Sequence, residues 1–391
     1  MHPTAAAPGW WFWGADEGEG GKLGDNQKVP KFFPDEVIDL SAGSRHSFII
    51  YKDGSAFTTG FIESLFSYVG HLGVDDFQEG SNVGKKIDNV FVGDNSDNKI
   101  AAPPFKKAYA GAGVPSDSGE MHSMLIDEDG NVYTSGNNDM GQLCLGDREN
   151  RKEFSQVNGL PKPAVAGSIL FQSTLILLED GSVWGCGSNQ MGELGLGPSV
   201  DTKELPTNVN ELKNIKDMAS GYKFAIFLDD NNVVYGTGGN IYGQQCYFTE
   251  GEPKTIPQVL LSGVPGKVVQ VAASSESSYF LFEDGTAVSC GRNDEGQLGD
   301  GTFINTSKEK TFVNVKLQEK IRKIGSGPSS QSVFFVTDNS VYGAGINDRF
   351  QLGINEIGSQ EFPVIVDFGE DVEIDLVSAS GTHTVASGKY L

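Results

Sequence analysis

A single motif recurs along most of this chain at a fixed internal spacing. In its clearest copy, His122 is followed after eight residues by Gly130 and after six more by Gly136. The first interval is typical of an apolar strand that ends in a tight Asp-Gly turn, and the second of a returning strand. Such a repeat constrains the fold more than any local pattern, because each copy must become the same structural unit.

Five further copies keep both intervals. Asn replaces the turn glycine in two of them, which is tolerated because Asn also adopts a positive φ. The copies begin, turn and end at His46, Gly54 and Gly60; at Ser173, Gly181 and Gly187; at Phe224, Asn232 and Gly238; at Ser277, Gly285 and Gly291; and at Gln331, Asn339 and Gly345. Most copies continue into a short glycine-framed loop, of which Gly296-Gln-Leu-Gly299 is an example.

The seventh copy is divided between the two ends of the chain. His383 begins a strand near the last residue, Leu391, and residues 9–14 supply the returning strand. We therefore predict an all-β, seven-bladed β-propeller in which the N-terminal strand completes the C-terminal blade and closes the ring. In this interpretation residues 9–14 pair with residues 382–387. Residues 1–8 are a short leader, and residues 9–391 form a single propeller.

The repeat is interrupted in one place. Gly60 and Gly136 are 76 residues apart, whereas 51 residues separate Gly136 from Gly187. The extra residues form two insertions, one at 61–69 and one within 74–121. Departures from a repeat are where a specific function is most readily added. We therefore look for a binding site in this stretch.

The first insertion is unusually apolar for a loop. Five of its residues form our candidate partner-binding site: Phe61, Ile62, Leu65, Phe66 and Tyr68. Exposed clusters of aromatic and aliphatic side chains mark partner surfaces. The alternative is that the loop folds onto the second insertion and forms a satellite core. The sequence supports both interpretations equally.

Charge and hydropathy argue against several classes of partner. The net charge is -23, from 52 acidic and 29 basic residues, and such a surface repels nucleic acids and anionic membranes. The sequence has no apolar run long enough to span a membrane, and its N-terminus lacks the basic start and apolar core of a secretory signal. We expect an intracellular, cytoplasmic protein that binds neither nucleic acid nor membranes.

The residue types that most often carry catalysis are explained by the repeat. His46, His122 and His383 occupy the same slot at the start of a strand, and His71 occupies a slot of the glycine-framed loop. A histidine at a repeated slot is typical of a structural hydrogen bond. We therefore expect no Ser-His-Asp triad, no small-molecule substrate and no enzyme activity.

The four cysteines also fall at repeated slots. Cys144 and Cys246 end a glycine-framed loop, whereas Cys186 and Cys290 precede the glycine that opens one. Cysteines that share a slot lie two blades apart, and the chain has no Cys-x-x-Cys. We therefore expect free, partly buried thiols and neither disulfides nor zinc. The acidic segment 94–98 does not match a calcium-binding loop, so we expect no metal and no other cofactor.

The repeat resembles that of the regulator of chromosome condensation superfamily. The resemblance rests on Gly43-Ser-Arg-His46-Ser, Asp129-Gly-Asn-Val and Gly291-Arg-Asn-Asp-Glu-Gly-Gln-Leu-Gly299, and it extends over residues 9–391. It implies a seven-bladed propeller, although a shared fold does not determine a function. The founding member of the superfamily exchanges guanine nucleotide on a small GTPase through an inserted wedge, and we match none of the wedge residues to this chain.

Plant ultraviolet-B receptors of the same superfamily carry tryptophans beside the repeated histidine. This chain has Ser44 there, and three of its four tryptophans, Trp10, Trp11 and Trp13, alternate on the closing strand. We expect those tryptophans to pack in the core, and we do not expect a light-sensing role.

Three classes of function follow from these observations. The favoured one is a non-enzymatic protein-interaction propeller, a rigid binding or assembly component whose partner is a protein or a large assembly. The second is a structural protein that decorates a virion or another large assembly, with glycan binding as one variant and the virion surface as the alternative location. The third is a guanine-nucleotide exchange factor for a small GTPase.

Overall fold

Seven β-sheets follow one another along the chain in the computed structural model, and their first strands contact one another in a closed ring. The chain is therefore a seven-bladed β-propeller, as predicted. The structure describes residues 8–14, 27–44, 46–60, 70–75, 84–93, 98–111, 121–209, 211–247, 253–260, 266–306, 312–369 and 371–391. Those residues form 30 strands and no helix.

The blades are numbered from the first complete sheet. Blades 1 to 3 comprise, in order, β3 (Val37–Ala42), β4 (His46–Tyr51), β5 (Ala56–Gly60) and β6 (Lys85–Lys86); β7 (Asn89–Val92), β8 (Asn98–Ala101), β9 (Phe105–Ala110), β10 (His122–Asp127), β11 (Val132–Gly136) and β12 (Arg151–Gln156); and β13 (Ala164–Ile169), β14 (Ser173–Leu178), β15 (Val183–Ser188) and β16 (Thr202–Asn208).

Blades 4 to 6 each contain four strands in chain order. They comprise β17 (Ile215–Ser220), β18 (Phe224–Asp229), β19 (Val234–Gly238) and β20 (Lys254–Val259); β21 (Val268–Ala273), β22 (Ser277–Phe282), β23 (Ala287–Gly291) and β24 (Val313–Asn314); and β25 (Lys323–Gly325), β26 (Ser332–Val336), β27 (Val341–Gly345) and β28 (Gln360–Ile365). Blade 7 joins the chain ends, with β29 (Val372–Ala379), β30 (His383–Tyr390), β1 (Pro8–Gly14) and β2 (Gln27–Phe33).

The second strand of a blade is buried along its length. Every residue of β22 and of β26 is buried, because neighbouring blades stack against both faces of the sheet. Strands in that position have apolar residues on both faces, where a half-exposed strand would alternate. The outermost strands β20 and β28 are only partly buried.

Blade 7 closes the ring by pairing the two ends of the chain. Strand β1 runs antiparallel to β30, with Gly9 opposite Gly388 and Gly14 opposite His383. This pairing confirms the predicted closure of the ring by the N-terminal strand, although the partners of residues 9–14 are residues 383–388, one residue beyond the predicted 382–387. Because a closed ring leaves no blade without a neighbour, none of the apolar blade faces needs another cover.

The tryptophans of β1 pack in the core, as predicted. Trp11 and Trp13 are both fully buried. The indole of Trp13 donates a hydrogen bond of 2.8 Å to the carbonyl of Gln351 in the loop of blade 6, and its ring meets Phe334 of β26 edge to face. The closing strand is therefore held by side-chain contacts with blade 6 as well as by backbone pairing.

Two disulfides overturn the expectation of free thiols. Cys144 is bonded to Cys186, and Cys246 is bonded to Cys290. Each bond joins the last residue of a glycine-framed loop to the third strand of the next blade. The prediction was wrong because it compared cysteines at like slots, which lie two blades apart. The loop of one blade in fact reaches across the junction, so cysteines at unlike slots of neighbouring blades become adjacent.

Removing one disulfide should lower the stability of the fold. The bonds close loops of 42 and 44 residues, and in the chain-entropy model a loop of that length contributes about 4 kcal/mol. We expect Cys186→Ser to lower the free energy of unfolding in urea by about that amount. Thr237 occupies the same slot in blade 4 and forms no disulfide, so Thr237→Ser is the matched control. Equal losses in the two variants would contradict this prediction.

Candidate interaction surface

The predicted partner-binding residues lie in a part of the chain that the structure does not describe. Phe61, Ile62, Leu65, Phe66 and Tyr68 all fall within residues 61–69, outside the described ranges. Their assignment stays a prediction. The second insertion, within 74–121, is described in part, and it forms the main irregularity of the propeller.

This insertion enlarges blade 2 to six strands, whereas each of the other sheets has four among the described residues. Strands β7 and β8 form an antiparallel pair, and β7 adds in parallel to the outermost blade strand β12 through Phe91 and Ser155. Together with the residues that flank them they make a feature that we name the blade-2 extension, residues 87–93 and 98–102.

A change in the edge strand of blade 2 allows this addition. The outermost strands of four other blades have a proline at one equivalent slot, namely Pro30, Pro206, Pro257 and Pro363. Proline has no backbone N–H and therefore blunts the edge of a sheet. Blade 2 has Phe154 at that slot. Its outermost strand can therefore accept further strands.

The extension shares a core with blades 1 and 2. Val90 and Ile87 are buried and belong to one apolar cluster with Phe154 of blade 2 and with Phe48 and Leu72 of blade 1. The described part of the second insertion therefore enlarges the core between these blades and forms no separate satellite core there. Whether the loop at 61–69 joins the shared core lies outside the described residues.

The outermost strand of the extension is open to solvent. All four residues of β8 are exposed, and within the described ranges no strand pairs with its outer edge. Ile100 lies opposite the buried Val90 and is 39% exposed, so the apolar face of the extension continues from the core into solvent. On the other face, Lys99 forms a 2.6 Å ion pair with Glu153.

The polar residues at the centre of the propeller have a structural role. The first strands of blades 1, 2, 3 and 7 and the segment after β25 of blade 6 line a central cavity of about 220 Å³. The Asp39 carboxylate accepts the Ala108 N–H of the next blade at 2.8 Å, and Asp217 likewise accepts the Val271 N–H at 3.0 Å. Gln270 bridges to the next blade in the same way through the backbone of Ile324. These side chains therefore join neighbouring inner strands.

Burial dominates the electrostatics of this channel. Asp39 forms a 3.1 Å ion pair with Lys107, yet burial outweighs that attraction and raises the pKa of Asp39. Burial also raises the pKa of Asp217 to about 6. The pKa of Lys323 is lowered by burial, and the positive charge of Lys107 adds to that shift.

The three histidines at the repeated slot connect neighbouring blades. Nε2 lies 2.7 Å from the Ser47 hydroxyl for His383, 2.8 Å from the Ser123 hydroxyl for His46, and 2.9 Å from the Thr174 hydroxyl for His122. The Thr174 hydroxyl itself donates to a backbone carbonyl, so the His122 ring donates from Nε2. These contacts support the structural role predicted for the repeated histidines.

Burial keeps these imidazoles neutral. It lowers the pKa of His122 to about 3 and that of His383 to about 4. The pKa of His46 lies well below its usual value because of burial and three neighbouring histidines. A base with so low a pKa stays unprotonated at neutral pH, in keeping with its structural hydrogen bond.

Neither a metal site nor a membrane helix is found in the part of the chain that the structure describes. No group of three or more His, Cys, Asp or Glu side chains there is arranged to hold a metal ion. Nor do those residues include a helix long and apolar enough to cross a bilayer.

The fold and the repeat together define an RCC1-like propeller. A family model for the RCC1-like domain matches residues 67–389, which is well over half of the chain. The chain belongs to this family.

Relatives in the same family differ in length and in name. The ultraviolet-B receptor UVR8 of Arabidopsis thaliana is 26% identical over 382 residues, which cover 96% of this chain and 80% of that protein. The human regulator of chromosome condensation is 24% identical over 82% of this chain and 89% of its own length. The X-linked retinitis pigmentosa GTPase regulator of Canis lupus familiaris is 29% identical over 68% of this chain, but the match spans only 27% of that protein.

Solved structures show the same fold. Yeast RCC1 (Prp20), in a crystal structure with Kap60, superposes with a TM-score of 0.79 and 20% identity, covering 100% of this chain and 91% of that chain. Human WBSCR16 gives a TM-score of 0.77 and 18% identity, with 99% of this chain and 100% of that chain covered. At these identities the likeness concerns the fold alone.

The sequence contained two signals that our interpretation missed. The edge prolines recur at one slot, and their replacement by Phe154 indicates where extra strands can be added. In addition, aligning the first strands of the blades places Asp39, Lys107 and Asp217 at one slot, which indicates a shared position in the channel.

Acid should weaken the fold through the buried histidines. The folded-state pKa of His122, about 3, lies below the unfolded value of about 6.5. Its contribution is therefore complete above pH 6.5 and is lost as the pH falls towards the folded value. We expect the stability advantage of the wild type over His122→Gln to shrink by about 1.4 kcal/mol per pH unit between pH 6 and 4.

Urea unfolding of both proteins at several pH values measures this change, and the raised pKa values of the channel aspartates cancel in the difference. Ser173 occupies the histidine slot of blade 3 and does not titrate in this range. Ser173→Ala is therefore the control, and its difference from the wild type should not depend on pH. Parallel pH curves for the wild type and His122→Gln would refute the prediction.

Removing Lys107 should cost more stability than removing the ion pair altogether. Lys107→Met leaves the Asp39 carboxylate, whose side chain is only 8% exposed, without its counter-ion, at an expected cost of about 3 kcal/mol. Asp39→Asn/Lys107→Met removes both charges and should recover most of that loss. Thermal or urea unfolding of the two variants checks the order, and equal losses would contradict it.

Proposed function

We propose that this chain is a non-enzymatic protein-interaction propeller and that the blade-2 extension is its main binding surface. The observation that carries the proposal is the exposed strand β8 at the rim of the only six-stranded sheet among the described residues. Four other blades have a proline in their outermost strand, whereas Asn98–Ala101 contains none. An unblunted edge strand offers backbone donors and acceptors to a partner.

The side chains of the extension add specificity to this edge. Ile100 presents an exposed apolar side chain. Lys99 presents an ammonium group, which forms an ion pair with Glu153. A partner segment that pairs with β8 would meet the apolar side chain on one face and the charged pair on the other. Because the two faces of β8 differ in this way, the edge favours a partner strand whose own side chains alternate between apolar and charged.

The loop at 61–69 is the second part of the proposal. It precedes the extension in the chain, and its apolar residues Phe61, Ile62, Leu65, Phe66 and Tyr68 are of the types that anchor protein interfaces. Both insertions interrupt the repeat within one stretch of the chain, between Gly60 and Gly136. We propose that they serve one partner.

The names of the relatives are compatible with a binding role. They include a receptor, a GTPase regulator and a regulator of chromosome condensation. Prp20p of Saccharomyces cerevisiae, in a second crystal structure, is described with binding properties to Gsp1p and histones. Each of these statements concerns the relative itself, and the shared scaffold is what connects it to this chain.

A charge on the open edge should weaken partner binding. We expect Ile100→Asp to reduce the recovery of the specific partner at least tenfold in affinity purification with quantitative mass spectrometry, because the substitution places a carboxylate on an apolar contact. Ile256, on the outermost strand of blade 4, is 45% exposed. Ile256→Asp is therefore the matched control, and it should leave recovery unchanged.

The outcomes separate the parts of the proposal. Unchanged recovery with Ile100→Asp and with a variant of the loop at 61–69 would rule out this surface. If the wild-type chain retained no protein above an unrelated bait, the interaction role itself would be wrong. A small GTPase among the retained proteins would favour the exchange-factor alternative, and a capsid or other assembly protein would favour the structural alternative. Circular dichroism and thermal unfolding confirm that each variant is folded.

A further inference from the structure

One contact recurs at the junctions between blades. The last residue of a glycine-framed loop meets the third strand of the next blade, as the two disulfides illustrate. At the junction of blades 3 and 4, a Cβ added to Gly195 would lie 2.9 Å from Cγ2 of Thr237. At the junction of blades 6 and 7, a Cβ added to Gly353 would lie 3.0 Å from Nε1 of Trp13. Paired cysteines therefore occupy a contact that other junctions of the ring also make.

Cysteine is an unfavourable residue for the loop position. Cys144 has a φ of 60 and Cys246 a φ of 50, in the left-handed region that side chains with a Cβ rarely adopt. The equivalent Gly195 and Gly353 both have a φ of 69. A residue with a Cβ at this slot needs a compensating interaction, and the disulfide to the next blade supplies one.

All cysteines of the chain take part in this arrangement. The sequence contains four, and none of them is free. Each junction that has a cysteine in its loop also has one in the opposing strand. Two separate junctions, between blades 2 and 3 and between blades 4 and 5, show the same pairing independently.

We propose that Cys144, Cys186, Cys246 and Cys290 are sites of oxidative modification, at which a disulfide donor installs one covalent link at each of these two junctions. The chemical class of the donor is a reactive disulfide, either a small molecule such as oxidised glutathione or the active-site disulfide of an oxidoreductase. This inference is independent of the proposed binding role. It also replaces our expectation of free, partly buried thiols.

The exchange is balanced at each junction. The thiolate of one cysteine attacks a sulfur of the donor, a mixed disulfide forms, and the other half of the donor leaves as a thiolate. The second cysteine then displaces the remaining half of the donor and closes the protein disulfide. Two protein thiols lose two electrons and two protons in total, and the donor disulfide is reduced to two thiols.

Burial limits when the donor can act. Cys144, Cys186 and Cys290 are fully buried, and Cys246 is 5% exposed, so a donor cannot reach these sulfurs once the loops have docked. The two partners lie 42 or 44 residues apart in the chain and meet only after neighbouring blades have packed. The donor must therefore act before the loop docks. Either cysteine of a pair can accept the donor first, and the other resolves the mixed disulfide.

Refolding of the reduced, denatured full-length chain in oxidised glutathione tests the proposal. After alkylation of the remaining thiols, peptide mass spectrometry should find the links 144–186 and 246–290 and a chain lighter by four hydrogens. The links should persist in an excess of reduced glutathione that keeps the same chain reduced in denaturant. Thiols that survive refolding in saturating donor, or other pairings, would overturn the proposal.

Two single variants test the exchange. Cys186→Ser should accumulate a glutathione adduct on Cys144 during refolding, and Cys144→Ser one on Cys186, because in each variant nothing resolves the mixed disulfide. The link 246–290 should form in both variants. The absence of an adduct from both variants, or a scrambled set of links in the wild type, would refute the proposal.

Discussion

The pairing of β1 with β30 is the interaction on which the rest of the structure depends. Each blade buries its faces against two neighbours, so an open ring would expose the faces of the two terminal blades. The closing strand prevents this with seven consecutive residue pairs, from Pro8 opposite Lys389 to Gly14 opposite His383. It also contributes Trp11 and Trp13 to the apolar cluster between blades 6 and 7. Without this strand the other blades would keep their local hydrogen bonds but lose the closed arrangement that covers them.

Within the closed ring, different kinds of contact hold different junctions. Histidine–hydroxyl hydrogen bonds connect blades 7 and 1, 1 and 2, and 2 and 3. Disulfides join blades 2 and 3 and blades 4 and 5. In the channel, Asp217 and Gln270 bridge blades 4 and 5 and blades 5 and 6. Each type of contact recurs at the same slots of the repeat. Substitutions at those slots therefore change how two blades are joined without altering the blades themselves.

The fold was predictable because its signal is periodic. The turn residues Gly130 and Asn232, with φ of 84 and 65, recur at a fixed distance from the strands that they join, and the split seventh copy predicts the closure. The disulfides were not predictable in the same way. The repeat identifies equivalent slots within blades, but it does not say which slot faces which across a junction. The blade-2 extension was located only as an insertion, because strand addition at β12 depends on the absence of an edge proline at Phe154.

The split blade has a consequence for the ends of the chain. Pro8 lies opposite Lys389 on adjacent strands, so both ends leave the propeller from neighbouring points on blade 7. A protein domain fused at either end would therefore project from the same sector, and blade 1 would separate it from the rim of blade 2. Pro8 and Lys389 are also close enough for a short linker to join the strands that carry them. A circularly permuted chain that opens between blades 2 and 3 would keep the order of strands within every sheet, and it would add a covalent connection to the strand pairing within blade 7.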